Sequence, residues 1–301
     1  PGVEAAVISD DDGFALYVAV DGGPAKEVLR SPEWLAIGGI EQGRSGLAGL
    51  SADGSLLALE HADHGDAIHP GLRIIDPRTG DTVAEQVDHG RALAAAAWSP
   101  LPGDQRLAVS HERGADFSPA VWDLASGDWT GLDLDLEGPV SVADWWPDGE
   151  ALLLTHNDKG RDRLYRYDLA TRSVERLATP DGSIEGARVR PDGDVWLELT
   201  SGTAPPAVLD LSGAAVFPTP PAPAGWPFVS WRFDNGEGDV VHGFYLAPEG
   251  EGPFPVIMRV HGGPAWEDKD RWHPEIAAYV DMGFAVGLVN YRGSTGYGGV
   301  A

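Results

Sequence analysis

Through the first two thirds of the chain, short apolar runs alternate with turn signals. Leu56-Leu57-Ala58-Leu59, Leu107-Ala108-Val109 and Leu152-Leu153-Leu154 each follow a Gly/Asp turn and predict buried strands. Leu164-Tyr165-Arg166-Tyr167 alternates as a half-exposed strand does. Two markers recur. One precedes a strand: Ser51-Ala52-Asp53-Gly54, Trp98-Ser99-Pro100 with Gly103-Asp104, Trp146-Pro147-Asp148-Gly149 and Arg190-Pro191-Asp192-Gly193. The other ends a later strand: Ile75-Asp76-Pro77, Trp122-Asp123-Leu124, Tyr167-Asp168-Leu169 and Leu209-Asp210-Leu211. The aspartates at 76, 123, 168 and 210 fall 42 to 47 residues apart, the period of four-stranded propeller blades. Neighbouring blades cover both faces of each sheet, which is why the pattern can repeat. GFALYVAVD, from Gly13 to Asp21, reads as the last strands of an earlier blade, giving four clear blades and one partial one.

The pattern changes after residue 217. A run rich in proline, from Phe217-Pro218 to Trp226-Pro227, cannot donate to a sheet ladder and predicts a stiff connection. Apolar stretches 228–233 and 240–246 flank Asp234-Asn235-Gly236-Glu237-Gly238-Asp239 and predict a hairpin. Val256, Ile257, Met258 and Val260 then form a run of the kind a fully buried parallel strand needs, stopped by His261-Gly262-Gly263-Pro264. Trp272, Ile276, Ala277 and Val280 recur at helical spacing, Met282-Gly283 supplies a stop, and 284–289 is apolar again. Strand, helix and strand make a parallel crossover. The expected organisation is a propeller at 1–217, a linker at 218–227 and an α/β segment at 228–301.

Composition narrows the chemistry. With 301 residues and 43% hydrophobic content the chain can bury a substantial core. The net charge of -26 repels nucleic acid and anionic membrane surfaces, so neither is expected as a partner. There is no cysteine, hence no disulfide, thiolate metal site or cysteine nucleophile. No apolar run reaches the length of a membrane span, and no charged-then-apolar leader is visible. The expected compartment is the cytoplasm, with secretion left open because Pro1 is not an initiator methionine.

Two glycines directly after a buried strand leave backbone amides open at the carboxyl edge of the sheet, where an oxygen anion can be bound. HGGP at 261–264, then an acidic-aromatic helix start, then Asn290-Tyr291-Arg292-Gly293-Ser294-Thr295-Gly296-Tyr297-Gly298, closely resembles the prolyl oligopeptidase (S9) family of serine peptidases, in its acylaminoacyl-peptidase-like branch. The resemblance is close over 254–299. It implies an N-terminally incomplete β-propeller followed by the first part of an α/β-hydrolase domain. It also implies hydrolysis of short peptides through an acyl-enzyme, without cofactor or metal. By resemblance Gly263 is the oxyanion donor, with Gly262 and His261 shaping its loop. Trp266, Arg292 and Tyr297 would line or order the substrate site, and Arg113, Asp116 or His64 would reach a bound peptide from a propeller loop. Small Ala265, directly after HGGP, departs from the bulky residue usual there and leaves pocket preference open.

No serine stands in a G-x-S-x-G elbow, and Ser294, in R-G-S-T-G, belongs to the loop after the fourth strand. Nucleophile, acid and base are therefore expected beyond Ala301, on a remaining hydrolase segment that acts as a partner, as a second chain or in the same one. Homo-oligomer formation is left open. An esterase sharing the HGG loop would not need the blades, whereas a non-catalytic propeller scaffold with a vestigial hydrolase segment remains the alternative. His61, His64 and His69 with Asp63 and Asp66 could ligate a metal, but their spacing fits a solvated loop better. The Asp-Gly and strand-end acids read as turn supports.

Overall fold

In the computed structural model, residues 2–39, 49–114, 116–219, 221–236, 238, 240–263 and 266–297 are described. Nearly all of the regular structure is sheet. β1 (Val3–Asp10), β2 (Gly13–Val20) and β3 (Lys26–Ser31) form one meander, and β4 (Leu35–Ile37), β5 (Leu57–His61), β6 (Gly71–Ile75) and β7 (Thr82–Gln86) the next. The third is β8 (Leu93–Trp98), β9 (Arg106–Arg113), β10 (Asp116–Asp123) and β11 (Trp129–Gly131). The fourth is β12 (Val140–Trp145), β13 (Ala151–Asp158), β14 (Arg161–Asp168) and β15 (Val174–Leu177). β16 (Ser183–Val189), β17 (Val195–Ser201) and β18 (Ala204–Asp210) complete the series, their fourth strand reduced to a single bridge between Leu209 and Ala215. These are the propeller blades the spacing predicted. GFALYVAV, however, is the middle strand of its sheet rather than one of its last, because β3 follows and pairs with its other edge.

Two compact units divide the chain. The first comprises Pro1–Leu134, Ser141–Leu154 and Tyr167–Val174; the second comprises Asp135–Val140, Thr155–Arg166 and Glu175–Ala301. In the first, Leu16, Val18, Leu35, Leu57 and Leu59 join the first two sheets in one core, and Ala58, Leu72, Ile74, Leu93, Val109 and Trp122 join the second and third in another. Adjacent blades thus cover each other's apolar faces, as radial packing requires. Trp98 and Trp145, each ending the first strand of its blade, donate from Nε1 to the carbonyls of Gly49 and Ala97, so the bulky ring is buried with its polar atom satisfied.

The marker acids support turns. Asp76, Asp123, Asp168 and Asp210 accept backbone amide hydrogen bonds from residues two to four places on. His61 differs from the solvated loop expected of it: it ends β5 and is 1% exposed, since Arg73, Asp63 and Glu85 enclose it. Burial lowers its pKa. Among the described residues no group of three His, Asp or Glu could hold a metal ion, and no helix is long and apolar enough to cross a membrane.

In the second unit, β19 (Val229–Asp234), β20 (Val240–Leu246), β21 (Val256–Val260), α1 (Pro274–Asp281) and β22 (Ala285–Asn290) form a sheet in the order β19-β20-β22-β21. β19 and β20 are the expected hairpin, although Glu237 and Asp239 of its turn lie outside the described residues. β21 and β22 run parallel, joined through α1. The helix buries Ile276 and Val280 against Phe228, Phe244, Leu246, Val286 and Leu288. β21 is not the fully buried strand its apolar run predicted: Val256, Met258 and Val260 are more than half exposed, because β21 is an edge strand and α1 covers only one face. The acidic stretch after HGGP is not helical either. Pro274 starts α1, its missing N–H costing nothing at the first helical position.

Candidate active site

β21 delivers the chain directly into His261-Gly262-Gly263, at the carboxyl end of a parallel strand. Gly262 and Gly263 are both exposed, and neither backbone N–H donates a hydrogen bond among the described residues. Gly263 has φ of 149°, in the region that favours glycine, and a Cβ on Gly262 would meet nothing within 4 Å. Two amides with no hydrogen-bond acceptor among the described residues, the Gly262 one beside open space, can receive an anionic oxygen. Pro264 and Ala265 lie outside the described residues.

His261 fixes this loop from below. It is 6% exposed, its Nδ1 pairs with the Gly262 carbonyl at 2.8 Å and its Nε2 with Ser294 Oγ at 2.9 Å. The Tyr291 ring stacks on the imidazole, centroids 4.5 Å apart at 19°, and Tyr291 OH donates to the His261 carbonyl at 3.1 Å. The loop 291–297 is therefore bonded to the glycine loop at side chain and backbone. Ser294 acts as a connector in this arrangement, which agrees with its reading as a loop residue.

Tyr297 sits deeper. Its hydroxyl accepts from Asn290 Nδ2 at 2.6 Å and pairs with His242 Nδ1 at 2.7 Å. Burial raises the Tyr297 pKa and lowers that of His242, so a neutral imidazole accepts the phenol proton. Asn290 also accepts from the Asp268 amide and donates to the Asp268 carbonyl, at 2.8 and 3.0 Å. Trp266 is 54% exposed and its carbonyl accepts from the Thr295 amide at 3.1 Å, which bonds its backbone to loop 291–297. Arg292 is an exposed residue of that loop. Arg113 ends β9 in the first unit.

Sequence reasoning missed the stretch Glu267-Asp268-Lys269-Asp270, where every residue but Lys269 is more than nine-tenths buried. Asp270 accepts from Arg161 Nε and the Gly202 amide, both at 2.8 Å, while its own amide donates to the Gly160 carbonyl. Lys269 Nζ reaches Asp162 at 3.1 Å. Glu267 accepts from Asn157 Nδ2. The stretch is thereby bonded to the β13–β14 hairpin and the β17–β18 turn. The available signal was density: three acids in four residues beside an aromatic.

No family model matches the chain. Dipeptidyl-peptidase 5 of Aspergillus fumigatus is 28% identical over 192 residues, covering 58% of this chain and 25% of that protein. Human acylamino-acid-releasing enzyme is 44% identical over 52 residues, 17% of this chain and 7% of that one. Among solved structures, one from a study of two prolyl endopeptidases superposes with a TM-score of 0.72 at 16% identity, over 98% of this chain and 46% of its own. A Mycobacterium tuberculosis puromycin-hydrolyzing peptidase gives 0.68 at 19% identity, over 99% and 51%. The chain thus spans about a quarter of the length of the first curated relatives it matches. These proteins are peptidases of the S9 family, and the resemblance carried by HGGP and NYRGSTGYG is borne out.

Proposed function

With relatives in sequence and structure that are S9-family peptidases, we propose that this chain is the propeller and oxyanion-loop portion of a serine peptidase cleaving short peptides, of acylaminoacyl-peptidase or dipeptidyl/oligopeptidase type. The observation that carries the reading is the pair of exposed amides of Gly262 and Gly263 at the end of β21, neither of which donates a hydrogen bond among the described residues. Nucleophile, acid and base would come from a hydrolase segment outside these 301 residues, and no cofactor or metal enters. The serine oxygen attacks the scissile carbonyl carbon while its proton passes to the histidine base. The carbonyl oxygen, now an anion, takes the Gly263 N–H and one amide beside the nucleophile. Collapse expels the amine, which leaves with the proton, and water then hydrolyses the ester. Trp266 would stack against the residue before the cut, with Arg292 and Tyr297 ordering the loop beside it.

Labelling with a fluorophosphonate serine-hydrolase probe, followed by denaturing electrophoresis and intact mass, tests this. A labelled hydrolase segment, either joined to this 31.8 kDa stretch or co-purifying with it, is the expected result. A folded preparation that contains the elbow-bearing segment yet neither labels nor cleaves acyl-peptide and dipeptide esters would leave a propeller scaffold as the better account.

A further inference from the structure

We propose that Glu267 is a positioning residue for the oxyanion loop, holding loop 291–297 closed when its carboxyl group is neutral and loosening it when ionised. The inference rests on the oxyanion reading of Gly262 and Gly263. Glu267 is 7% exposed; Oε1 accepts from the Asn157 carboxamide, and the Thr295 hydroxyl lies near enough to favour the charged form. Oε2 is enclosed and makes no hydrogen bond among the described residues. It faces the backbone of loop 291–297 directly: a Cβ built on Gly296 would lie 2.4 Å from Oε2 and 2.9 Å from Asn157 Oδ1. The Gly296 carbonyl in turn accepts from the Lys159 amide at 3.2 Å. Glu267 and the β13–β14 hairpin therefore clasp the loop from two sides.

From Gly296 the path to the glycine amides is short. Thr295 bonds the Trp266 carbonyl, Ser294 bonds His261 Nε2, Tyr291 stacks on the imidazole, and His261 bonds the Gly262 carbonyl. Displacing loop 291–297 thus displaces the support of both candidate donors. A neutral carboxyl tolerates a dry contact with Gly296, whereas a carboxylate with an unpaired buried oxygen does not. Relief requires the loop to admit water or to bring the Thr295 hydroxyl, which already favours the charged form, fully onto Oε2.

The charges around the group set when this happens. Burial raises the Glu267 pKa to about 7, and Asp162 adds to the rise, opposed by Lys269, Asn157 and Thr295. On its own segment Asp268 is buried, and on the hairpin Asp158 and Lys159 are exposed. The Tyr297 phenol, raised by burial and by the charges of Glu267 and Asp268, stays neutral through this range. Glu267 is thus an acid in contact with the loop that exchanges a proton near neutrality, while His242, which meets the loop at Tyr297, is pushed down by burial and by Lys159 and Arg161.

Hydrogen–deuterium exchange at pH 6 and pH 8, corrected for the intrinsic rate, tests the proposal on the purified protein with whatever hydrolase segment accompanies it. Peptides spanning 260–263 and 291–297 should lose about tenfold in protection between the two, the change expected of opening linked to one ionisation near 7. Glu267→Gln should abolish that pH dependence while keeping the loop protected. Asn157→Ala, which removes the donor to the carboxylate, should move the midpoint upward, and it decides the matter if the glutamine variant does not fold. Wild-type protection unchanged with pH, or a tenfold loss persisting in Glu267→Gln, overturns the proposal. Probe labelling is scored separately: its absence with pH-dependent exchange intact tells against the peptidase reading, leaving the Glu267 clasp standing.

Discussion

The blade turns and the 267–270 stretch use the same residue types in opposite surroundings. Asp53, in the turn before β5, stands near water and accepts from the Ser55 hydroxyl and amide and from Ser51, which hold its pKa at about 2. Glu267 is enclosed, and burial pushes it up to about 7. An acid surrounded by donors is a local fastener, indifferent to pH above the acid range. An acid short of donors is a responsive element, and its burial has to be sustained by its neighbours. Acid content alone therefore says little about role; the donor count around each carboxyl decides it.

The largest test of this contrast is Asp270→Ala. It leaves Arg161 and the Gly202 amide without their buried acceptor, and breaking such a pair costs about 3–5 kcal/mol. A urea midpoint for the second unit that moves by less than about 1 kcal/mol would show that the stretch is incidental to its stability.

Next comes the pH dependence of stability. The folded-state pKa of Glu267 lies above its ordinary value of 4.5, so between about 4.5 and 7 the folded chain keeps a proton the unfolded chain has lost. Its contribution is fully present below 4.5, falls as pH rises and levels off above 7. Relative to Glu267→Gln, wild type should lose about 3 kcal/mol across that window, read from denaturation midpoints at pH 4.5, 6 and 8. Parallel curves for the two proteins would place Glu267 with the turn acids after all.

Gly263→Ala comes third. At φ of 149° a Cβ is strained, and the backbone shifts to relieve it while the N–H itself remains. In the complete peptidase kcat should drop about a hundredfold with KM little changed, as expected when an oxyanion donor is misplaced by about 1 Å. A drop confined to KM would make this loop a ground-state binding element.

How far the chain could be read in advance follows the same division. Blade strands and turn acids were legible because each is local: Asp123 bonds within its own turn, and Leu107 to Val109 lies directly beyond a Gly/Asp signal. The β21-α1-β22 crossover was legible from periodicity, and the glycine loop from two side-chain-free residues after an apolar strand. What stayed hidden depends on residues far apart in sequence. Asn157 and Glu267 are separated by 110 positions, Arg161 and Asp270 by 109, so nothing local marks the acids as paired. β21 misled for a related reason: an apolar run declares a strand, but whether its faces are covered is decided by other segments.

The smallest expected effect belongs to Asp53→Ala. Ser55 would lose its side-chain acceptor in an exposed turn where water replaces it, so the cost should stay near 1 kcal/mol or less at pH 7. Because the Asp53 pKa is depressed, its contribution is present above the ordinary value of 3.8 and fades as pH falls toward 2. Wild type and variant should therefore converge in stability at acid pH, where wild type and Glu267→Gln differ least as well, but for opposite reasons. In the first pair, acid removes a stabilising charge from wild type; in the second, acid supplies the proton that wild type lacks at neutrality. Thermal midpoints of the three proteins at pH 2 and pH 7.5 read both at once. Convergence of only one pair would mean that one of these acids is misassigned between fastener and responsive element.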